Sequence, residues 1–277
     1  MGSAIKWLLG LIIGLITNSA SSNGITSSLS NWSKDLYKFA TAIQTNVMLP
    51  VGYSILALFA LLELYRISEQ VEAMGGGADA GVRLISAALV KVAFCKIAMD
   101  SMNLFLNAIM QVSITLSKGI GELVKSGKVS GLVSVDAIYK PLASQGFWAQ
   151  LVVLLILVFA LLISLLASVL VNVVVTGRFL QMYVYLAVAP IPISTMPHHE
   201  FSGIAKNFFK GFMAVSIQGT LIYMVQLFYP FLLKTAFENA DHSGAMGLVA
   251  AVIGFSILLI FAVFQTNAWA KSLTTAM

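Results

Sequence analysis

Residues 141–177 contain no Asp, Glu, Lys or Arg, and from Phe147 onward they form an almost unbroken run of Leu, Val, Ile and Ala. A helix on the surface of a water-soluble domain needs a polar face toward the solvent, and this run has none. About 20 apolar residues, each rising about 1.5 Å, suffice to cross a bilayer core of about 30 Å. The run therefore predicts a membrane-spanning helix with length to spare.

The composition extends this prediction to the whole chain. Of its 277 residues, 59% are hydrophobic and only 10% are charged, whereas soluble domains carry roughly 25% charged residues. We predict an all-α integral membrane protein with about six transmembrane helices in a domain covering residues 47–277. A tight turn at Thr176 and Gly177 would separate the third and fourth spans. The predicted spans are 47–67, 84–116, 147–176, 179–196, 211–233 and 246–270.

Residues 1–46 are predicted to form a membrane-associated, amphipathic segment. Lys6 precedes an apolar run at residues 7–16, which fits either a short helix at the membrane surface or a secretory signal. Farther along, apolar side chains recur at spacings of three and four and would share one helical face. An interfacial amphipathic helix fits this pattern. The residues of that face are Leu29, Trp32, Leu36, Phe39 and Ile43.

Positive charge predicts the orientation, because cytoplasmic segments of membrane proteins are enriched in Lys and Arg. Six spans would put both termini on one side of the membrane. If that side is the cytoplasm, nine lysines fall on inner segments and three basic residues on outer turns, so both termini are predicted to be cytoplasmic. The inner residues are Lys34, Lys38, Lys118, Lys125, Lys128, Lys140, Lys206, Lys210 and Lys271; the outer ones are Arg83, Arg178 and Lys234.

No catalytic, cofactor or metal site can be assembled from the sequence, so we predict that the chain is not an enzyme. The glycines at 75–77 are not followed by the Gly-Lys-Ser/Thr of a phosphate-binding loop, and no His-Glu-x-x-His or Gly-x-Ser-x-Gly motif occurs. Adjacent His198, His199 and Glu200 are interpreted as a solvated loop. Cys95 is the only cysteine, which excludes a disulfide within one chain.

Three charged residues interrupt the second predicted span: Lys91, Lys96 and Asp100. Lys96 and Asp100 are four positions apart and can meet on one helical face. Charges at membrane depth are costly and often mark a pathway. The alternative is that residues 84–100 lie at the outer surface, where the lysines reach lipid head groups.

The fourth predicted span contains the other candidate residues for assembly or gating. Arg178 opens it, and Pro190 and Pro192 interrupt its end. Each proline removes a backbone donor and clashes with the preceding helical turn. The helix either ends near Ala189 at the inner surface or is a broken helix that lines a subunit junction or a passage.

Two motifs of this region, 177–183 (GRFLQMY) and 189–196 (APIPISTM), follow each other in the order found in a known family. With them the chain resembles the TrbL-like polytopic membrane subunit of type IV secretion systems, in the form found in conjugative elements of Gram-positive bacteria. In that family a Gly-Arg pair opens a helix that ends in Ala-Pro-Ile-Pro, and a basic helix start follows. The resemblance covers nearly the whole chain and is firmest over residues 147–277. The residues that carry it are 177–183 (GRFLQMY), 189–196 (APIPISTM), 201–203 (FSG) with Lys206 and Lys210, 49–52 (LPVG), 61–64 (LLEL), 264–267 (FQTN) and 270–273 (AKSL).

The resemblance implies a scaffold or channel subunit in the bacterial cytoplasmic membrane. Its expected partners are a traffic ATPase, a coupling ATPase, small membrane subunits, a peptidoglycan hydrolase and further copies of itself. Single-stranded DNA bound to its relaxase would be in transit. The residues alone also leave open a small-solute permease, which would need convergent polar groups at mid-membrane. Outside the second span these are few: Asn172, Gln181, Gln218 and Gln226.

Overall fold

The computed structural model describes residues 2–22, 24–25, 27–73, 75, 78–125, 147–239 and 244–274. Within these ranges the regular structure is entirely helical. The α-helices are α1 (Gly2–Ser22), α2 (Leu29–Trp32), α3 (Lys34–Ile43), α4 (Leu49–Ala73), α5 (Ala78–Asp100), α6 (Met102–Lys125), α7 (Phe147–Val188), α8 (Pro190–Ser194), α9 (Ser202–Asn239) and α10 (Gly244–Thr274), with a π-helical turn at Gln44–Met48 joining α3 to α4.

Among the described residues, five helical segments are long and apolar enough to cross a membrane, judged by length and composition. This confirms the predicted class, an all-α polytopic membrane protein. The apolar part of α1 that can be assessed, Gly2–Ile12, is shorter than a span. The five candidates are Lys34–Ala73, Met102–Leu123, Gln150–Val188, Ser202–Tyr229 and Ile253–Thr274.

The turn predicted at Thr176 and Gly177 is wrong, because α7 continues through both residues to Val188. A single glycine inside a helix costs only about 1 kcal/mol relative to alanine, and the flanking apolar residues offer no alternative turn. The two spans predicted at 147–176 and 179–196 therefore share one helix. Its 42 residues extend for about 63 Å, about twice the thickness of a bilayer core.

Two other predicted boundaries differ in detail. The division at residue 46 falls inside the continuous helical segment Lys34–Ala73. The face expected over residues 29–43 is split at Ser33, whose hydroxyl caps α3 by accepting a hydrogen bond from the Leu36 N–H at 3.3 Å. Leu29 is buried, whereas Phe39 is exposed. The polar loop predicted at 117–146 is helical to Lys125, and its remainder lies outside the described residues.

The second predicted span contains two helices with nearly continuous backbone hydrogen bonding. The Ser101 N–H donates to the Ile97 carbonyl at 3.0 Å, and the Phe105 N–H donates to the Ser101 carbonyl at 3.3 Å. Only Ser101 separates α5 from α6. The α5–α6 pair is therefore one long helical path with a local irregularity at Ser101.

The chain divides into two compact units, each built from discontinuous segments. The first unit comprises Met1–Ser27, Ser113–Arg178 and Ile217–Ala270, and the second comprises Ser28–Val112, Phe179–Ser216 and Lys271–Met277. The segments are discontinuous because α6, α7, α9 and α10 each contribute residues to both units.

Candidate functional sites in the two units

In the second unit, the short proline-containing helix α8 packs against α4 and α5. Pro190 is at its first turn, where the missing N–H would have no helical partner in any case. A Cβ placed on Gly52 of α4 would lie 3.1 Å from the Pro190 Cβ and 3.2 Å from its carbonyl oxygen. From α5, the Cys95 thiol donates to the Ile193 carbonyl at 3.0 Å. The helix therefore does not simply end near Ala189. It is broken there, and its second piece, α8, is buried.

The chain after α8 follows α4 toward its C-terminus. The ring of Phe59 lies 5.9 Å from His198 and 5.1 Å from Phe201, measured between centroids. His198 is only 7% exposed, whereas its neighbours His199 and Glu200 are exposed. The solvated-loop interpretation is therefore wrong for His198, because this aromatic cluster removes its ring from solvent.

An ion pair between a buried glutamate and a half-buried arginine holds the end of the same loop. Glu63 of α4 is 1% exposed and accepts two hydrogen bonds from Arg66, from Nη2 at 2.7 Å and from Nε at 3.1 Å. The backbone of His199 is also hydrogen-bonded to Glu63. Bidentate pairs of this kind are among the strongest hydrogen bonds in proteins. Glu63 therefore links α4 to the loop between α8 and α9.

Lys96 and Asp100 meet on one face of α5, as predicted. The Lys96 Nζ donates to the Asp100 Oδ2 at 2.9 Å and lies 5.5 Å from the centroid of the Tyr53 ring. The Tyr53 hydroxyl donates to the other carboxylate oxygen of Asp100. Lys91 is exposed and takes no part in this pair.

In the first unit, Arg178 of α7 is a buried cation, 4% exposed. Its guanidinium lies against the backbone of α9 at Gly219, where a methyl group would overlap the Arg178 side chain. Hydroxyl groups join other helices of this unit. The Ser113 and Thr220 oxygens are 2.9 Å apart, and the Tyr229 and Ser256 oxygens are 2.9 Å apart.

Of the polar residues that a permease would require, Gln218 and Gln226 are buried, whereas Asn172 and Gln181 are exposed. These positions give the permease interpretation no further support.

The helices show the class of the protein: it is an all-α protein with several membrane-spanning helices, and some of these helices contain charged residues. A model of the family described as TrbL/VirB6 plasmid conjugal transfer like protein matches residues 16–190, more than half of the chain, and the chain belongs to this family. The match includes the motifs at 49–52, 61–64 and 177–183 and ends at Pro190, so the resemblance noted beyond that residue lies outside it. No curated protein and no solved structure matches the chain.

Several residues that build these sites were not identified from the sequence. Glu63 and Arg66 lie three positions apart, a spacing that indicates a pair on one helical face. Tyr53 and Gly219 carry no such local pattern. Their importance depends on which helix packs beside them, and the spacing of residues within one helix does not contain that information.

Proposed function

We propose that the chain is a scaffold or channel subunit, in the bacterial cytoplasmic membrane, of a type IV secretion machine for conjugative DNA transfer. The observation that carries the proposal is the family match over residues 16–190, in a chain with five candidate membrane spans. The subunit does no catalysis of its own. Energy comes from the traffic and coupling ATPases with which it assembles.

The proposed assembly contains several copies of this chain together with small membrane subunits and a peptidoglycan hydrolase. Single-stranded DNA with its relaxase passes through the assembled machine. Buried or paired charges such as Arg178, Lys96 and Asp100 are expensive in a bilayer and are retained in membrane proteins chiefly for function. This supports a role in assembly or gating for them, for Lys91, and for the α8 prolines Pro190 and Pro192.

The expected pair of cytoplasmic termini requires an even number of crossings. If each of the five candidate spans among the described residues crosses once, the termini lie on opposite sides. We therefore keep the N-terminus and residues 117–146 in the cytoplasm and put the C-terminus on the outer side. The basis is the positive-inside tendency. The lysines on inner segments are Lys34, Lys38, Lys118, Lys125, Lys128 and Lys140, whereas Lys206, Lys210 and Lys271 then lie on the outer side.

Affinity purification from donor-cell membranes in a mild detergent tests the proposal. A tagged chain should retain the traffic ATPase and the coupling ATPase, while a tagged membrane protein of unrelated function, expressed equally, should not. Recovery of the chain without either ATPase would contradict the proposed assembly. Reporter fusions after residue 140 and after Lys271 should indicate the cytoplasm and the outer side, respectively.

A further inference from the structure

The α3–α4 helix provides a depth scale for the second unit. Between Lys38 and Glu63 it has 24 residues without a charge, which span about 36 Å and so match a bilayer core. The α5–α6 pair runs antiparallel beside it. Gly81 lies near Val71, Met99 contacts Gly52, and the Asn107 side-chain amide donates to the Tyr37 hydroxyl at 3.3 Å.

On this depth scale the Lys96–Asp100 pair lies deep in the bilayer, so the α5–α6 helices enter it before the candidate span Met102–Leu123 begins. Asp100 is hydrogen-bonded to Tyr53, which precedes Glu63 by ten positions, or about 15 Å along the helix. That distance is about half the thickness of the core. A position among the lipid head groups fits Lys91, which interacts electrostatically with Glu63, and does not fit Lys96 or Asp100.

The pair belongs to a longer polar stripe on the α5–α6 helices. Polar residues recur at spacings of four, three, four and four, which places them on one helical face for about 22 Å. Each of them directly follows a buried apolar residue, so the stripe runs along one edge of the packed face. The polar stripe comprises Lys96, Asp100, Asn103, Asn107 and Gln111, and the buried residues are Cys95, Met99, Met102, Leu106 and Met110.

Much of this polar stripe remains open to its surroundings. The side chains of Lys96 and Asp100 are 60% and 39% exposed, and Gln111 is exposed. The Asn103 Oδ1, in contrast, is buried and has no hydrogen-bond partner among the described residues. Lys96 and Asp100 are hydrogen-bonded to each other, but an ion pair exposed to hydrocarbon is still costly because both ions lose their hydration. A water-filled space beside the pair keeps both ions hydrated.

We propose that the polar stripe from Lys96 to Gln111 lines a water-filled passage through the membrane assembly, with Lys96 and Asp100 at mid-membrane and Asn107, beside Tyr37, at the edge of the bilayer core. This rests on the proposed function, for which it supplies the wall of the route. The stripe combines one cation, one anion and three amides, so it carries no net charge. Polar side chains keep water in the passage, and the absence of net charge means that they do not bind a polyanion tightly. A charged polymer can therefore move along the passage without adhering to the wall.

Single-cysteine labelling tests the proposal. Cys95 is replaced by Ser, and one cysteine is introduced at Asn103, Asn107 or Gln111, with Leu104→Cys as the control because Leu104 is 69% exposed outside the polar stripe. Donor cells that express the whole transfer system are treated with membrane-impermeant cationic or anionic methanethiosulfonates. Variants must first show transfer within a factor of a few of the wild type.

The cysteines of the stripe should react at least about tenfold faster than Leu104→Cys, because only the thiolate reacts and apolar surroundings keep a thiol protonated. The cationic and anionic reagents should give similar rates. Labelling of the stripe cysteines no faster than that of Leu104→Cys would contradict the passage. So would a disulfide between two copies of Asn107→Cys that are not labelled, because it indicates a packed contact between the copies. A much faster reaction with either the cationic or the anionic reagent would contradict the claim that the wall carries no net charge. None of these labelling results tests whether the chain is required for transfer, which is measured separately.

Discussion

The guanidinium of Arg178 occupies the space that a side chain at position 219 would need. Arg178 lies on α7 and Gly219 on α9, both in the first unit. A glycine lets the planar group approach the α9 backbone closely, as small residues do at helix contacts within membranes. The relationship explains how a cation is accommodated in a helix that is otherwise almost uniformly apolar.

Gly219→Ala should therefore destabilise the protein although alanine is the better helix former. The methyl group displaces the Arg178 side chain, and overpacking of this kind typically costs about 1–3 kcal/mol. We expect a lower melting temperature in detergent and reduced transfer. Gly177→Ala is the matched control, since a Cβ there meets no described atom within 4 Å. Equal effects of the two substitutions would contradict the role of Gly219.

Replacing both Pro190 and Pro192 with alanine should impair transfer while membrane abundance is retained. The new N–H groups can bond to the preceding turn, so α7 is free to continue as a regular helix. Continuation would pull α8 away from Gly52 and Cys95. Immunoblots of membranes and mating frequencies measure the two effects. Wild-type transfer by this variant would show that the helix break has no role.

Glu63→Gln should lower stability markedly. Its carboxylate is 1% exposed and bidentate to Arg66, and removing the charge weakens two charge-assisted hydrogen bonds, each worth about 1.5–3 kcal/mol. We expect a clear drop in melting temperature and easier proteolysis between α8 and α9. Glu72→Gln, an exposed change on the same helix, should leave both unchanged. Indistinguishable melting curves for the two variants would show that the pair does not hold the loop.

Asp100→Asn should have a much smaller effect than Glu63→Gln, although both remove one acid from an ion pair. If water reaches Asp100, losing the pair costs only about 0–1 kcal/mol, as at exposed surfaces. Membrane abundance and melting temperature should then stay close to those of the wild type. A loss as large as that of Glu63→Gln would mean that Asp100 is buried in the assembly, which contradicts the aqueous passage.

The sequence predicted the class and the Lys96–Asp100 pair because both depend on local information, namely the length of apolar runs and the spacing of charges. It failed at Gly177, where the helix continues because a single glycine, even an exposed one, costs only about 1 kcal/mol relative to alanine and does not break the helix. It also missed the polar stripe beyond Asp100, since three amides spaced along an apolar helix are inconspicuous until Tyr53 and Tyr37 fix their depth. Burial of His198 likewise depends on Phe59, far away in sequence.

The central claim is that this chain is needed for conjugative DNA transfer and not for DNA processing, and a deletion of its gene in a donor strain tests it most directly. Nicking at the transfer origin and mating frequency are measured in the same cultures, with the gene restored in trans as the control. We expect normal nicking, loss of transfer, and recovery on complementation. Transfer at the wild-type frequency without the gene would contradict it.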